Sequence, residues 1–197
     1  MKDILANDFK KELIVYGVRP DMGAKAVICK TAKDCLALGK RVLFYSFDLS
    51  EEIIIGRINA EDTTNLLVKD KLLKELSDME TTIELFKPDI VFIDYFGLMR
   101  KETKSEDIHV LNAYAKKFNI PIIVLSYMGY KFEHKDFTNI DEEEVKKISP
   151  SLTPIIDVAD RFIVFYIKSK ENKEYMLKEL KNTFGETREF DIRDILN

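Results

Sequence analysis

Five strand-length apolar runs punctuate the chain: Leu13–Val18, Val42–Phe47, Ile90–Ile93, Ile120–Leu125 and Phe162–Ile167. None shows the apolar/polar alternation of a sheet with one wet face, so each suits a central strand covered on both sides, the signature of a parallel sheet. Between them the period changes. Ala24, Val27, Ile28, Thr31, Cys35 and Leu38 recur at intervals of three and four, and Gly39 with Lys40 supplies a stop. Ser50 with Glu51 and Glu52 opens a second helix carrying Ile54, Ile55 and Ile58, and Ser105 opens one carrying Ile108, Leu111, Ala115 and Phe118. A further helix is predicted over Lys69 to Leu76. This alternation predicts an α/β protein: a mainly parallel twisted sheet flanked by helices. Glu174–Leu180 and Thr187–Ile192, joined by a turn at 181–185, predict a C-terminal hairpin, and residues 131–149 read as a solvated loop with a short helix.

At 197 residues the chain is sized for a single domain spanning 1–197. With 46% hydrophobic residues, 7 Gly and 5 Pro it is neither disordered nor collagen-like. The 35 acidic and 31 basic residues give a net charge of -4, which excludes a protein built mainly to hold nucleic-acid phosphates. Cys29 and Cys35 fall in one predicted helix, about 9 Å apart, too far for a disulfide. They read as reduced, half-buried thiols of a cytoplasmic protein. The apolar runs are too short for a membrane span or a signal peptide.

The first strand enters the turn Gly17-Val18-Arg19-Pro20-Asp21-Met22-Gly23, the place where backbone N–H groups at a helix start can cradle a phosphate. A phosphate loop ordinarily continues Gly-Lys-Thr/Ser, the Lys reaching the phosphates and the hydroxyl holding Mg²⁺. This chain continues Gly23-Ala24-Lys25-Ala26. Its Lys comes one residue late, about 100° round the helix, and no hydroxyl stands at the metal position. Asp94 closes the run Ile90–Ile93 at the edge where α/β sheets place ligands, and could position Mg²⁺ or simply bond the following loop. Asp48, after Phe44-Tyr45-Ser46-Phe47, could orient a water or cap the next helix.

Taken in order, these segments resemble the ATPase domain of DnaB-type replicative helicases, a branch of the RecA-like ATPases. Arg19-Pro20-Asp21-Met22-Gly23 matches that family's Arg-Pro-x-Met-Gly, and Phe47-Asp48-Leu49-Ser50 its Leu-Glu-Met-Ser. Ile93-Asp94-Tyr95-Phe96-Gly97-Leu98-Met99 matches its Walker B stretch, Asn119–Ser126 its Val-Pro-Val-Ile-x-Leu-Ser strand, and Asp157–Arg161 its Gln-Asp-Ala-Asp element. The correspondence runs from about Leu13 to Phe190. It implies a RecA-like P-loop NTPase fold, with Arg19, Pro20, Met22, Gly23, Ala24, Lys25 and Lys178 at the nucleotide positions. Asp48 and Asp94 fall at the catalytic acids, Asp94 also being the Mg²⁺ position.

The departures carry as much meaning. The family's Walker A Lys and Thr fall at Ala24 and Lys25, its catalytic Glu at Asp48, its Gln after Leu-Ser at Tyr127, and its Lys-x-Arg pair at Lys178 and Leu180. Lost preorganised charge at a phosphoryl-transfer centre costs several kcal/mol, each 1.36 kcal/mol being about tenfold in rate. The expectation is therefore a degenerate module with weak or no ATP hydrolysis, taking no cofactor or only weak ATP/Mg. Two readings stand beside it: an active ATPase with a rearranged phosphate site, and a nucleotide sensor. The loops that thread DNA in the family mix Arg100, Lys101 and Lys104 with Glu102, Glu106 and Asp107, and Lys131, His134 and Lys135 with Asp141–Glu144. Weak single-stranded DNA contact is the most they imply. His109 and His134 lack metal-type company. The family's amino-terminal domain and linker have no counterpart here, so the hexameric ring does not carry over, and the expected partner is a helicase or another replication protein.

Overall fold

In a computed structural model, residues 10–19, 22–132, 135–169, 171 and 174–192 are described; Pro20, Asp21 and His134 lie outside them. Eight strands form one sheet: β1 (Leu13–Val18), β2 (Val42–Ser46), β3 (Leu66–Lys69), β4 (Ile90–Asp94), β5 (Ile122–Tyr127), β6 (Arg161–Ser169), β7 (Glu174–Asn182) and β8 (Glu189–Asp191). Their spatial order is β3-β2-β4-β5-β1-β6-β7-β8. Pairings through β6 are parallel, and β7 and β8 add antiparallel, completing the expected C-terminal hairpin. Among the described residues the α-helices are α1 (Ala24–Ala37), α2 (Glu51–Ile58), α3 (Leu76–Phe86), α4 (Asp107–Phe118), α5 (Glu142–Ile148) and α6 (Thr153–Val158).

Unbroken apolarity in the strands follows from two hydrophobic layers. Leu13, Val15, Leu43, Val91, Ile93, Ile122 and Val124 face Met79 and Ile83 of α3, Ile108, Leu111 and Ala115 of α4, and Ile156 of α6. Their strand neighbours Ile14, Tyr16, Phe44, Phe92, Ile123 and Leu125 face Val27, Ile28 and Cys35 of α1 and Ile54 and Ile58 of α2. Successive residues of one strand thus serve opposite layers, as a pleated sheet covered on both sides requires.

Local signals set the element ends. Gly23, at φ 76°, begins α1 from a left-handed conformation. At the other end Gly39, at φ 74°, donates to Leu36 O at 2.8 Å while Lys40 N donates to Cys35 O at 3.0 Å, a Schellman stop. Gly17 admits no side chain, since a Cβ there would lie 2.8 Å from the Phe162 ring and 3.0 Å from Met128 Sδ. Cys29 and Cys35 are free thiols, more deeply buried than the sequence suggested, and burial pushes both up to about 11.

The helix predicted over 69–76 is absent. Leu66–Lys69 is instead edge strand β3, and the helix runs over Leu76–Phe86, where Leu76, Met79, Ile83 and Phe86 keep the three-four spacing.

Candidate functional site

Parallel strands β1, β2, β4 and β5 present their carboxyl ends together, so the turn into α1, Asp48, Asp94 and Ser126 converge on one edge of the sheet. Ser46 sits opposite Asp94 in the β2–β4 register, and Phe47 N donates to Asp94 O at 2.8 Å, joining the two strand ends. Ser46 Oγ then donates to Leu49 O at 2.9 Å and accepts from Leu49 N at 3.3 Å. That local bond shapes the short loop carrying Asp48.

Lys25, in the first turn of α1, reaches back across this edge. Its Nζ donates to Asp48 Oδ2 at 2.5 Å and to Asp94 Oδ2 at 2.8 Å, and lies 4.5 Å from the centre of the Tyr95 ring. Exposure is graded inward: the side chain of Asp48 is 31% exposed, that of Lys25 19%, and that of Asp94 0%. Asp94 Oδ1 is buried and accepts no hydrogen bond among the described residues.

The electrostatics follow from that burial. Desolvation pushes the Asp94 carboxyl up to about 6, and the nearby Asp48 charge adds to the rise, while Lys25 and the exposed Arg57 pull against it. For Lys25, burial works to lower the pKa, but hydrogen bonds to Asp48 and Asp94 outweigh it and hold the ammonium above its ordinary value. The centre of the site is thus a cation shared by two carboxylates.

A divalent metal does not fit this donor set. Mg²⁺ asks for oxygen ligands at about 2.0 to 2.1 Å, whereas the oxygens that would supply them already hold an ammonium, and the neighbouring helix positions are Ala24 and Ala26. Among the described residues no group of three or more His, Cys, Asp or Glu is placed to hold a metal ion.

The remaining expected site residues are dispersed. Met22 and Ala24 are buried in the α1 layer, and Gly23 forms the helix start. Arg19 turns away toward the loop after β5, donating to Phe132 O at 2.7 Å and lying over the Phe137 ring. Lys178 on β7 donates to Phe137 O, Thr138 O and Ile140 O at 3.2, 2.8 and 3.0 Å, which ties it to the same loop. Leu180 packs against the apolar core. His109 is exposed.

Sequence reasoning did not assign roles to Tyr95, whose ring backs the Lys25 ammonium, or to Arg57, whose charge reaches Asp94. The first had a signal in its place directly after Asp94. The second had none, since an exposed Arg in an amphipathic helix is ordinary.

The fold and the placement of the two acids at the strand ends define a RecA-like α/β architecture of the kind found in DnaB-type helicase ATPase domains. The structure is similar to a solved ATPase domain of a DnaB-like replicative helicase, at TM-score 0.73 and 17% identity over 96% of this chain and 84% of that one. It is likewise similar to a DnaB-like replicative helicase solved in a study of its interactions with primase, at TM-score 0.74 and 17% identity. That match covers 92% of this chain and 54% of the helicase chain, so this chain spans about half of it. No family model matches the sequence. No curated protein matches it.

Proposed function

We propose that the chain is a degenerate DnaB-like RecA-fold module, a single cytoplasmic domain with weak or no ATP hydrolysis. It works in DNA replication or a related process through contact with a helicase or another replication protein. The observation that carries this reading is the Lys25 ammonium lodged between Asp48 and Asp94. In a phosphoryl-transfer site those acids orient water and metal, while separate cations meet the phosphates. Here the acids spend their charge on Lys25, Ala24 and Leu180 stand at two cationic positions, and Arg19 and Lys178 are engaged elsewhere.

A contact role draws support from the surface beside the site. Tyr95, Phe96, Leu98, Tyr127, Leu152 and Ile155 line an open recess of about 550 Å³, and Leu98 and Tyr127 are 44% and 48% exposed. Exposed apolar surface of this kind marks a place where another molecule docks. DNA contact through the neighbouring loop is weak at most, because Arg100 is held by both oxygens of Asp107, at 2.9 and 2.8 Å. No helix among the described residues is long and apolar enough to cross a bilayer.

Titration calorimetry with Mg-ATP tests the reading. Weak or undetectable binding is expected, and a submicromolar dissociation constant would overturn it.

A further inference from the structure

We propose that Lys25 replaces the divalent cation of this phosphate-type site with a tethered ammonium, so that the site excludes Mg²⁺ and Mn²⁺. The proposal rests on reading this sheet edge as a phosphate-type site, and it concerns the metal, where the reading above concerns nucleotide.

Three observations lead to it. First, Lys25 stands at the helix position where a phosphate loop ordinarily places the metal-holding hydroxyl, so its side chain leaves the helix in the direction of the metal. Second, its Nζ is bound at the metal's place by both acids at once, 2.5 Å from Asp48 Oδ2 and 2.8 Å from Asp94 Oδ2. Third, the ammonium is backed by the Tyr95 ring at 4.5 Å, an electron-rich face that favours a cation there. A divalent ion would have to share these oxygens with a positive charge within hydrogen-bond distance, and the mutual repulsion is strong beside a carboxylate as buried as Asp94. The tether also removes the entropy cost of capturing an ion from solution.

The two consequences are separable from nucleotide binding. A chain with this centre needs no metal to keep the site's acids neutralised, and it gains a metal site when the ammonium is removed.

Electron paramagnetic resonance of Mn²⁺ with the full chain, without nucleotide, tests this. The wild-type chain is expected to bind no Mn²⁺ in an Asp94-dependent way at millimolar free ion. Lys25→Thr is expected to bind one Mn²⁺ per chain about tenfold or more tighter, and Asp94→Asn added to it should abolish that site. Lys25→Gln, which keeps most of the side-chain length and a hydrogen-bond donor, provides the same gain should the shorter residue impair folding. Wild-type binding that disappears in Asp94→Asn would overturn the proposal, as would folded Lys25→Thr and Lys25→Gln chains that bind no tighter than wild type. Tight Mg-ATP binding by calorimetry with no Mn²⁺ site would defeat the functional reading and leave this inference standing; weak ATP binding with an Asp94-dependent Mn²⁺ site would do the reverse.

Discussion

Lys25 Nζ and Asp94 Oδ2, on residues 69 apart in sequence, lie 2.8 Å from one another, and Asp94 has no exposed side-chain surface. The chain reaches this pairing by topology. Only β5 separates β1 from β4 in the sheet, so the helix that follows β1 begins over the carboxyl end of β4. A long, flexible side chain in its first turn then spans the gap that a short hydroxyl would have left for an ion.

Removing that cation leaves a buried carboxylate without its partner. Lys25→Met should lower stability by about 2 to 3 kcal/mol at pH 8, below the roughly 3 to 5 kcal/mol typical of broken buried pairs because Asp48 and Lys25 are partly open to water. Urea denaturation measures it. Adding Asp94→Asn to Lys25→Met should recover more than about 1 kcal/mol. A single variant as stable as wild type would remove the pair from the account.

The pH dependence has a definite sign. Burial raises the folded-state pKa of Asp94 from 3.8 to about 6, so between those values the folded chain holds a proton that the unfolded chain has released. Stability must then fall as pH rises through the window from about 4 to 6, by up to about 3 kcal/mol from this group. Asp94→Asn cannot titrate and lacks that fall. The difference in urea midpoint between wild type and Asp94→Asn should therefore change across the window, in favour of Asp94→Asn at the higher pH; parallel curves would contradict the burial argument.

Lys178 gives a test of a single residue's role. Its three bonds to Phe137 O, Thr138 O and Ile140 O make it a clamp on the loop after β5. Lys178→Met should speed hydrogen exchange in the 135–140 segment and leave Mg-ATP binding unchanged. A loss of ATP affinity with no change in exchange would return Lys178 to the phosphate site.

The legible parts of the fold were those where one pattern dominates. β1, β2, β4, β5 and the start of β6 are continuous apolar runs because both faces are covered, and α1 is framed by Gly23 and Gly39. β3 escaped because it is four residues long and lies at the sheet edge, with Leu66 and Leu67 only half-buried. At the site, the offset of Lys25 and the strand-end placement of Asp48 and Asp94 could be read directly. Where the Lys25 ammonium goes could not, because a helix position fixes where a side chain starts and a lysine's torsions decide where it ends. The diversion of Arg19 and Lys178 to the loop at 132–140 was also hidden, since it depends on contacts between segments far apart in sequence.

Away from the site, a buried ion network supports the strands at the opposite end. Arg161, 5% exposed, donates through Nε at 2.8 Å and also through Nη2 to Glu179 Oε1, and its Nη1 lies 3.4 Å from Glu12 Oε1. Glu179→Ala should cost about 3 to 5 kcal/mol, since it strands a buried guanidinium. Lys117→Ala, which breaks the partly exposed pair with Glu80, should cost less than about 1 kcal/mol. Equal losses in chemical denaturation would show that burial does not set the strength of these pairs.

The most direct measurement is the rate of phosphate release from Mg-ATP, with and without single-stranded DNA, by the chain alone over a concentration range that permits oligomers. With Lys25 holding Asp48 and Asp94, and Ala24 and Leu180 at the cationic positions, the rate should not exceed that of Asp94→Ala under any of these conditions. A DNA-stimulated rate near about 1 s⁻¹, at the low end of ordinary enzyme turnover, that disappears in Asp94→Ala would contradict it.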